Sequence, residues 1–121
     1  MAALWARVSS PPTVLCLGFD LFFRPKLYEA GQKEGVAIQF CQLIDAPRAA
    51  KGMLRVVADA SAPGVEDALR GIRAAHPDLA ILACFPHVEE DRATRLRQMG
   101  AAVVTRGALN ARLADALGGR L

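Results

Sequence analysis

The sequence predicts an open α/β domain: one parallel five-stranded sheet with helices on both faces. Three observations predict it. Short continuous apolar runs alternate with longer amphipathic or charged stretches, five times over. No two of the apolar runs stand close enough to form a hairpin, which leaves crossover connections and parallel strands. The first run, TVLCLG, carries no polar alternation, as expected of a strand covered on both sides.

Each element has a local reason. Residues 1–12 end in Ser9-Ser10-Pro11-Pro12, and two prolines remove two donors and favour extended backbone. They are expected to form an N-terminal arm, with Trp5 a candidate anchor to the body or to a partner. A single domain is expected over 13–121. TVLCLG (13–18) is the first strand. DLFFRPKLYEAGQKEG (20–35) is the first helix, with Pro25 in its first turn and Gly35 at its end. Gly31 inside it is unfavourable unless the helix approaches the sheet closely there. VAIQFC (36–41) is the second strand. A short second helix opens at Asp45-Ala-Pro47, with Asp45 as N-cap, and ends near Gly52.

MLRVVAD (53–59) is the third strand. GVEDALRGIRAAHP (64–77) is the third helix, with Val65, Ala68, Leu69, Ile72 and Ala75 on one apolar face. LAILACF (79–85) is the fourth strand. HVEEDRATRLRQMG (87–100) is the fourth helix, with acids early and arginines late, as the macrodipole favours. AAVVT (101–105) is the fifth strand. GALNARLADALGG (107–119) is the fifth helix, with Leu109, Leu113, Ala116 and Leu117 on one side. Five such units are too few for an eight-stranded barrel. A flavodoxin-like sheet of order 2-1-3-4-5 is the expected solution.

Composition excludes several function classes. Apolar residues make up 53% of the 121, enough for a real core. The net charge of +3 is spread without a block of like sign, and aromatics are only 6%, so no nucleic-acid platform is expected. Cys16, Cys41 and Cys84 form no CxxC pair and lie in apolar runs. They read as buried small hydrophobes in a reducing cytoplasm. His76 and His87 show no ligand spacing with them. No apolar run approaches the roughly 20 residues that cross a bilayer, so no membrane association is expected. The first ten residues lack the long apolar centre of a signal peptide.

In a sheet of this order, ligands bind beyond the carboxyl ends of the strands near the switch between the first and third. Gly18-Phe19-Asp20 follows the first strand and Asp59-Ala60-Ser61 the third. Cys84, Phe85, Pro86 and His87 end the fourth, and Thr105-Arg106 the fifth. Asp20 and Asp59 are therefore expected at one end of the sheet, with Arg106 approaching from the side. There is no Gly-rich phosphate loop and no nucleophile elbow, so no enzymatic activity is expected.

The stretch VVADASAPGVEDALRGIRAAHPDLAIL, with RQMGAAVV further on, resembles the receiver domains of two-component response regulators. The resemblance covers residues 13–118. It implies that Asp59, followed by Pro63-Gly64, stands at the phosphoacceptor position. Three other family positions depart from the pattern. Receivers carry two adjacent acids after the first strand to hold magnesium, and here only Asp20 is available. They carry threonine or serine after the fourth strand, where Cys84 or Phe85 stands. They carry lysine after the fifth strand, where Arg106 stands in a segment one residue short.

These departures matter physically. Magnesium wants carboxylate oxygens and water in a near-octahedral shell. Phosphoryl transfer is mostly positioning and charge neutralisation, so losing the metal removes the main catalyst. Phe85 offers no hydroxyl, and arginine is a planar fork rather than a point charge. The expectation is thus a degenerate, stand-alone receiver-like signalling protein that acts by protein–protein interaction without efficient phosphorylation. Two alternatives stay open: a functional receiver phosphorylated on Asp59, and a small-ligand-binding domain of the same fold.

No cofactor is expected, magnesium entering only if Asp59 is active, with Asp20 and Asp59 then its weak ligands. The resemblance implies a protein partner, with a homodimer through the face of fourth helix, fifth strand and fifth helix as one form. Each residue also has a plainer reading. Asp59 could simply end a strand, and Asp20 could N-cap the helix after it. Arg106 could be a solvated loop residue, Cys84 a core thiol, and the EEDRATRLR strip (89–97) a solvated face. His87 is read as opening the fourth helix.

Overall fold

The structure, a computed structural model, describes residues 11–87 and 89–121. Most of the expected N-terminal arm, Trp5 included, lies outside the described residues. The chain runs β1 (Thr13–Leu17), α1 (Arg24–Glu34), β2 (Ala37–Phe40), then a 3₁₀ turn (Leu43–Asp45) leading into α2 (Ala46–Ala49). It continues through β3 (Arg55–Asp59), α3 (Val65–Ala75), β4 (Ile81–Phe85), α4 (Glu90–Gln98), β5 (Ala102–Thr105), α5 (Arg106–Ala111) and α6 (Leu113–Leu117). All strand pairs are parallel and the order is β2-β1-β3-β4-β5. The flavodoxin-like architecture expected from the sequence is the one observed.

The core divides into two layers, one on each face of the sheet. Leu15, Leu17, Val56, Ala58, Ala83 and Phe85 pack with Val65, Leu69 and Ile72 of α3 and Leu96 of α4. On the other face Val14, Cys16, Val57, Leu82 and Cys84 meet Leu27 of α1, Leu109 of α5 and Leu113 and Leu117 of α6. Alternate residues of each strand thus feed opposite layers, which is the period-two rule acting in a sheet covered twice. The edge strands β2 and β5 have no such full cover and are half-buried. For the same reason Cys41, just past β2, is only half-buried, contrary to the expectation for all three thiols.

Gly31 is where α1 touches the sheet. A Cβ there would lie 2.9 Å from Ile38 Cγ1 and from the Val36 carbonyl oxygen, so the low helix propensity is offset by close packing. Four of the five residues expected on the α3 stripe are buried, but Ala75, in the last turn, is exposed. His76 closes that end instead, its Nε2 meeting the Pro47 carbonyl at 2.7 Å.

Several expected details change, beginning with the first helix, which starts at Arg24 rather than near Asp20, and the second, which ends at Ala49 rather than near Gly52. Asp45 occupies the N-cap position of α2 but makes no side-chain cap bond, because the preceding 3₁₀ turn already holds it in helical backbone. The fourth helix begins at Glu90, not His87, so that Glu90 and Asp91 form its first turn. The single helix expected over 107–119 is two helices, broken at Arg112, whose φ of −131° leaves the helical region. Leu109 on one piece and Leu113, Ala116 and Leu117 on the other are all buried against the sheet.

Candidate functional site

Asp59 ends β3, the central strand, and is the one polar or charged residue that is fully buried among the described residues, with 3% exposed. A carboxylate in that setting needs partners for each oxygen. Ser61 supplies Oδ1 with two, its backbone N–H at 3.0 Å and its hydroxyl at 2.5 Å. This is the turn that an aspartate forms with the residue two positions on. Arg106 supplies Oδ2 with an ion pair through Nη2, which also lies 3.5 Å from the Ser61 hydroxyl. Arg106 opens α5 directly after β5. The preceding Thr105 caps that helix, its Oγ1 accepting the Ala108 N–H at 3.1 Å.

Gly18 closes the site from β1. Its φ is +81°, and a Cβ there would come within 2.8 Å of both the Asp59 carbonyl oxygen and Val65 Cγ2. Only glycine meets both demands. Asp20, two residues on, is exposed and its Oδ1 accepts the Phe23 N–H at 2.9 Å. Its carboxylate thus serves the turn that leads into α1. Among the described residues no group of three His, Cys, Asp or Glu side chains gathers closely enough to hold a metal ion.

Cys84 lies opposite Asp59 in the β3–β4 register and is buried. Burial pushes its thiol up to about 12, and Cys16 likewise, so both are neutral at ordinary pH. Phe85 is fully buried on the other layer, in register with Thr105. His87 lies beyond β4 and is exposed.

A second arginine, not singled out by sequence reasoning, completes the surroundings. Arg92 of α4 donates from Nη2 to the Ala60 carbonyl at 2.5 Å, and its guanidinium lies 5.0 Å from the centre of the Phe85 ring. Glu66 of α3 holds it at 3.4 Å and also pairs with Arg95 at 3.0 Å and Arg70 at 2.7 Å. The hydrogen bond from Arg95 is the first cause that keeps the Glu66 carboxyl below its ordinary value. So part of the EEDRATRLR strip is tied to the loop that carries Asp59. Ser61 could have been found from the Asp-Ala-Ser spacing. Arg92 could not, since three arginines on one helix differ only in phase and in what stands across from them.

No protein-family model matches the chain, and no curated protein does. Solved structures do. A response regulator receiver domain protein from Clostridium thermocellum superposes with a TM-score of 0.76 at 16% identity, over 90% of this chain and 93% of that one. A LuxR-family two-component response regulator from Aurantimonas sp. SI85-9A1 gives 0.73 at 23% identity, over 92% and 88%. The chemotaxis protein CheY4 of Vibrio cholerae gives 0.76 at 14% identity, over 93% and 100%. The chain therefore has the fold of response regulator receiver domains.

Proposed function

We propose that this chain is a degenerate receiver-like signalling protein that works by binding another protein, with Asp59 held by Arg106 in place of reversible phosphorylation. One observation carries the reading: both carboxylate oxygens of the buried Asp59 are already engaged, Oδ1 by Ser61 and Oδ2 by Arg106. A phosphoacceptor must present a free oxygen to the incoming phosphorus. Here attack by Oδ2 would first require the ion pair to open, which leaves the buried carboxylate with the Ser61 donors but no countercharge.

On this reading the residues present do not fit magnesium. A hard divalent ion needs several oxygen ligands, with carboxylates among them free to turn toward it. Arg106 takes the place next to Asp59, and the Asp20 carboxylate is bonded to its own loop. Without the ion, little would neutralise a transferring phosphoryl group. The partner surface we favour is the face of α4, β5 and α5. Arg92 connects α4 to the Asp59 loop, so a protein bound there would sense how that loop is held.

Incubation with acetyl phosphate and magnesium, followed by intact-mass measurement, tests the proposal. The expected result is no mass gain. A gain located on Asp59, and absent in Asp59→Asn, would replace this reading with that of a functional phosphoacceptor.

A further inference from the structure

Beside the ion pair a cleft of about 420 Å³ opens, lined by Phe23, Lys26, Pro86, Arg106, Gly107 and Asn110. That volume lies within the usual range for small-molecule sites, about 300–1,000 Å³. Three separate segments build it: the start of α1, the loop after β4, and α5. From this geometry we infer that the cleft binds a small aromatic monocarboxylate.

The charge argument comes first. None of the six lining residues is acidic, and two are cations. Arg106 is balanced by Asp59, whereas Lys26 has no ion-pair partner among the described residues. Lys26 is thus the lining cation left without a countercharge at ion-pair distance among the described residues, which suits a monoanion. Arg106 makes its contacts to Asp59 and Ser61 through Nη2 alone, and its side chain is 40% exposed. Its other N–H groups are available to a ligand carboxylate while Asp59 keeps its partner.

The shape argument points to a flat apolar body. The ring of Phe23 is fixed by stacking on Phe19, with centroids 5.0 Å apart and planes 14° apart. Pro86 is a rigid apolar ring in the same lining, and Gly107 adds no side chain. Lys26 Nζ lies 5.7 Å from the Phe23 centroid, so an anion at the ammonium would have its body against that ring. Asn110 offers an amide NH2 donor group and a carbonyl acceptor for a further polar substituent.

The inference is independent of whether Asp59 accepts a phosphoryl group, and its test separates the two. Benzoate is the probe and benzamide its neutral counterpart, titrated into the full chain by calorimetry and by amide NMR. Benzoate should bind saturably, shifting the signals of Lys26, Gly107 and Asn110, with benzamide about tenfold weaker or worse. Lys26→Met and Asn110→Ala both change exposed positions and should leave the unfolding midpoint unchanged. Lys26→Met should weaken benzoate about tenfold. Absence of saturable benzoate binding, equal binding of benzamide, or unchanged affinity in Lys26→Met would each overturn the inference.

Discussion

Replacing Arg106 by alanine removes the countercharge of Asp59 and nothing from the core. Deleting one member of a fully buried pair costs about 3–5 kcal/mol. Here only the acid is buried, at 3% exposed, while the Arg106 side chain is 40% exposed, so water can follow the lost guanidinium. Ser61 also still donates twice to Oδ1. These two facts bring the expected loss down to about 2 kcal/mol, or a melting-temperature drop of about 8 °C in a domain of this size. Asp59→Asn should be milder, below about 1 kcal/mol, because the amide oxygen can still accept from Ser61 and the freed arginine is hydrated. The double variant should lose less than the sum of the singles, by about 1–2 kcal/mol. Urea unfolding of the four proteins at pH 7 measures this cycle. An Arg106→Ala protein as stable as the parent, or losses that simply add, would refute the reasoning.

Other outcomes follow from the surroundings of the site. Glu66 is held below its usual 4.5, first by the hydrogen bond from Arg95, against burial, and then by the Arg95 charge, the Arg92 bond and the Arg70 charge. A depressed folded value means that its stabilisation is complete above the unfolded value and is lost as pH falls through the folded one. Glu66→Gln should therefore cost about 1 kcal/mol at pH 7, and the gap to the parent should close as the pH is lowered below 4.5, read from urea midpoints. A gap that does not change with pH would count against the arginine cluster. Among the thiols, Cys16 and Cys84 are buried and pushed up to about 12, whereas Cys41 is half-buried with a smaller upward push from burial and Asp45. Iodoacetamide at pH 8 should add to Cys41 first in the native protein and to all three in urea. Peptide mass mapping would reveal early labelling of Cys84, which would contradict its packing.

Much of the fold was legible without coordinates. Strand runs such as TVLCLG and RVVAD, and the Val65–Ile72 stripe, are patterns of single segments, and the strand–helix alternation leaves few topologies. The carboxyl-edge location of Asp20, Asp59 and Arg106 was legible for the same reason, since it follows from where strands end. The misses were of another kind. The break at Arg112 and the late start of α4 are helix boundaries, which carry little local signal.

What the chain determined by itself was which side chains arrive at one edge of the sheet, because period-two alternation and parallel crossovers dictate it. What tertiary structure alone decided was pairing. Asp59 could face Asp20, Arg106 or water, and the choice rests on distances of a few tenths of a nanometre between segments far apart in sequence. Ion pairs and hydrogen bonds fall off steeply over that range, while hydrophobic patterning does not register it.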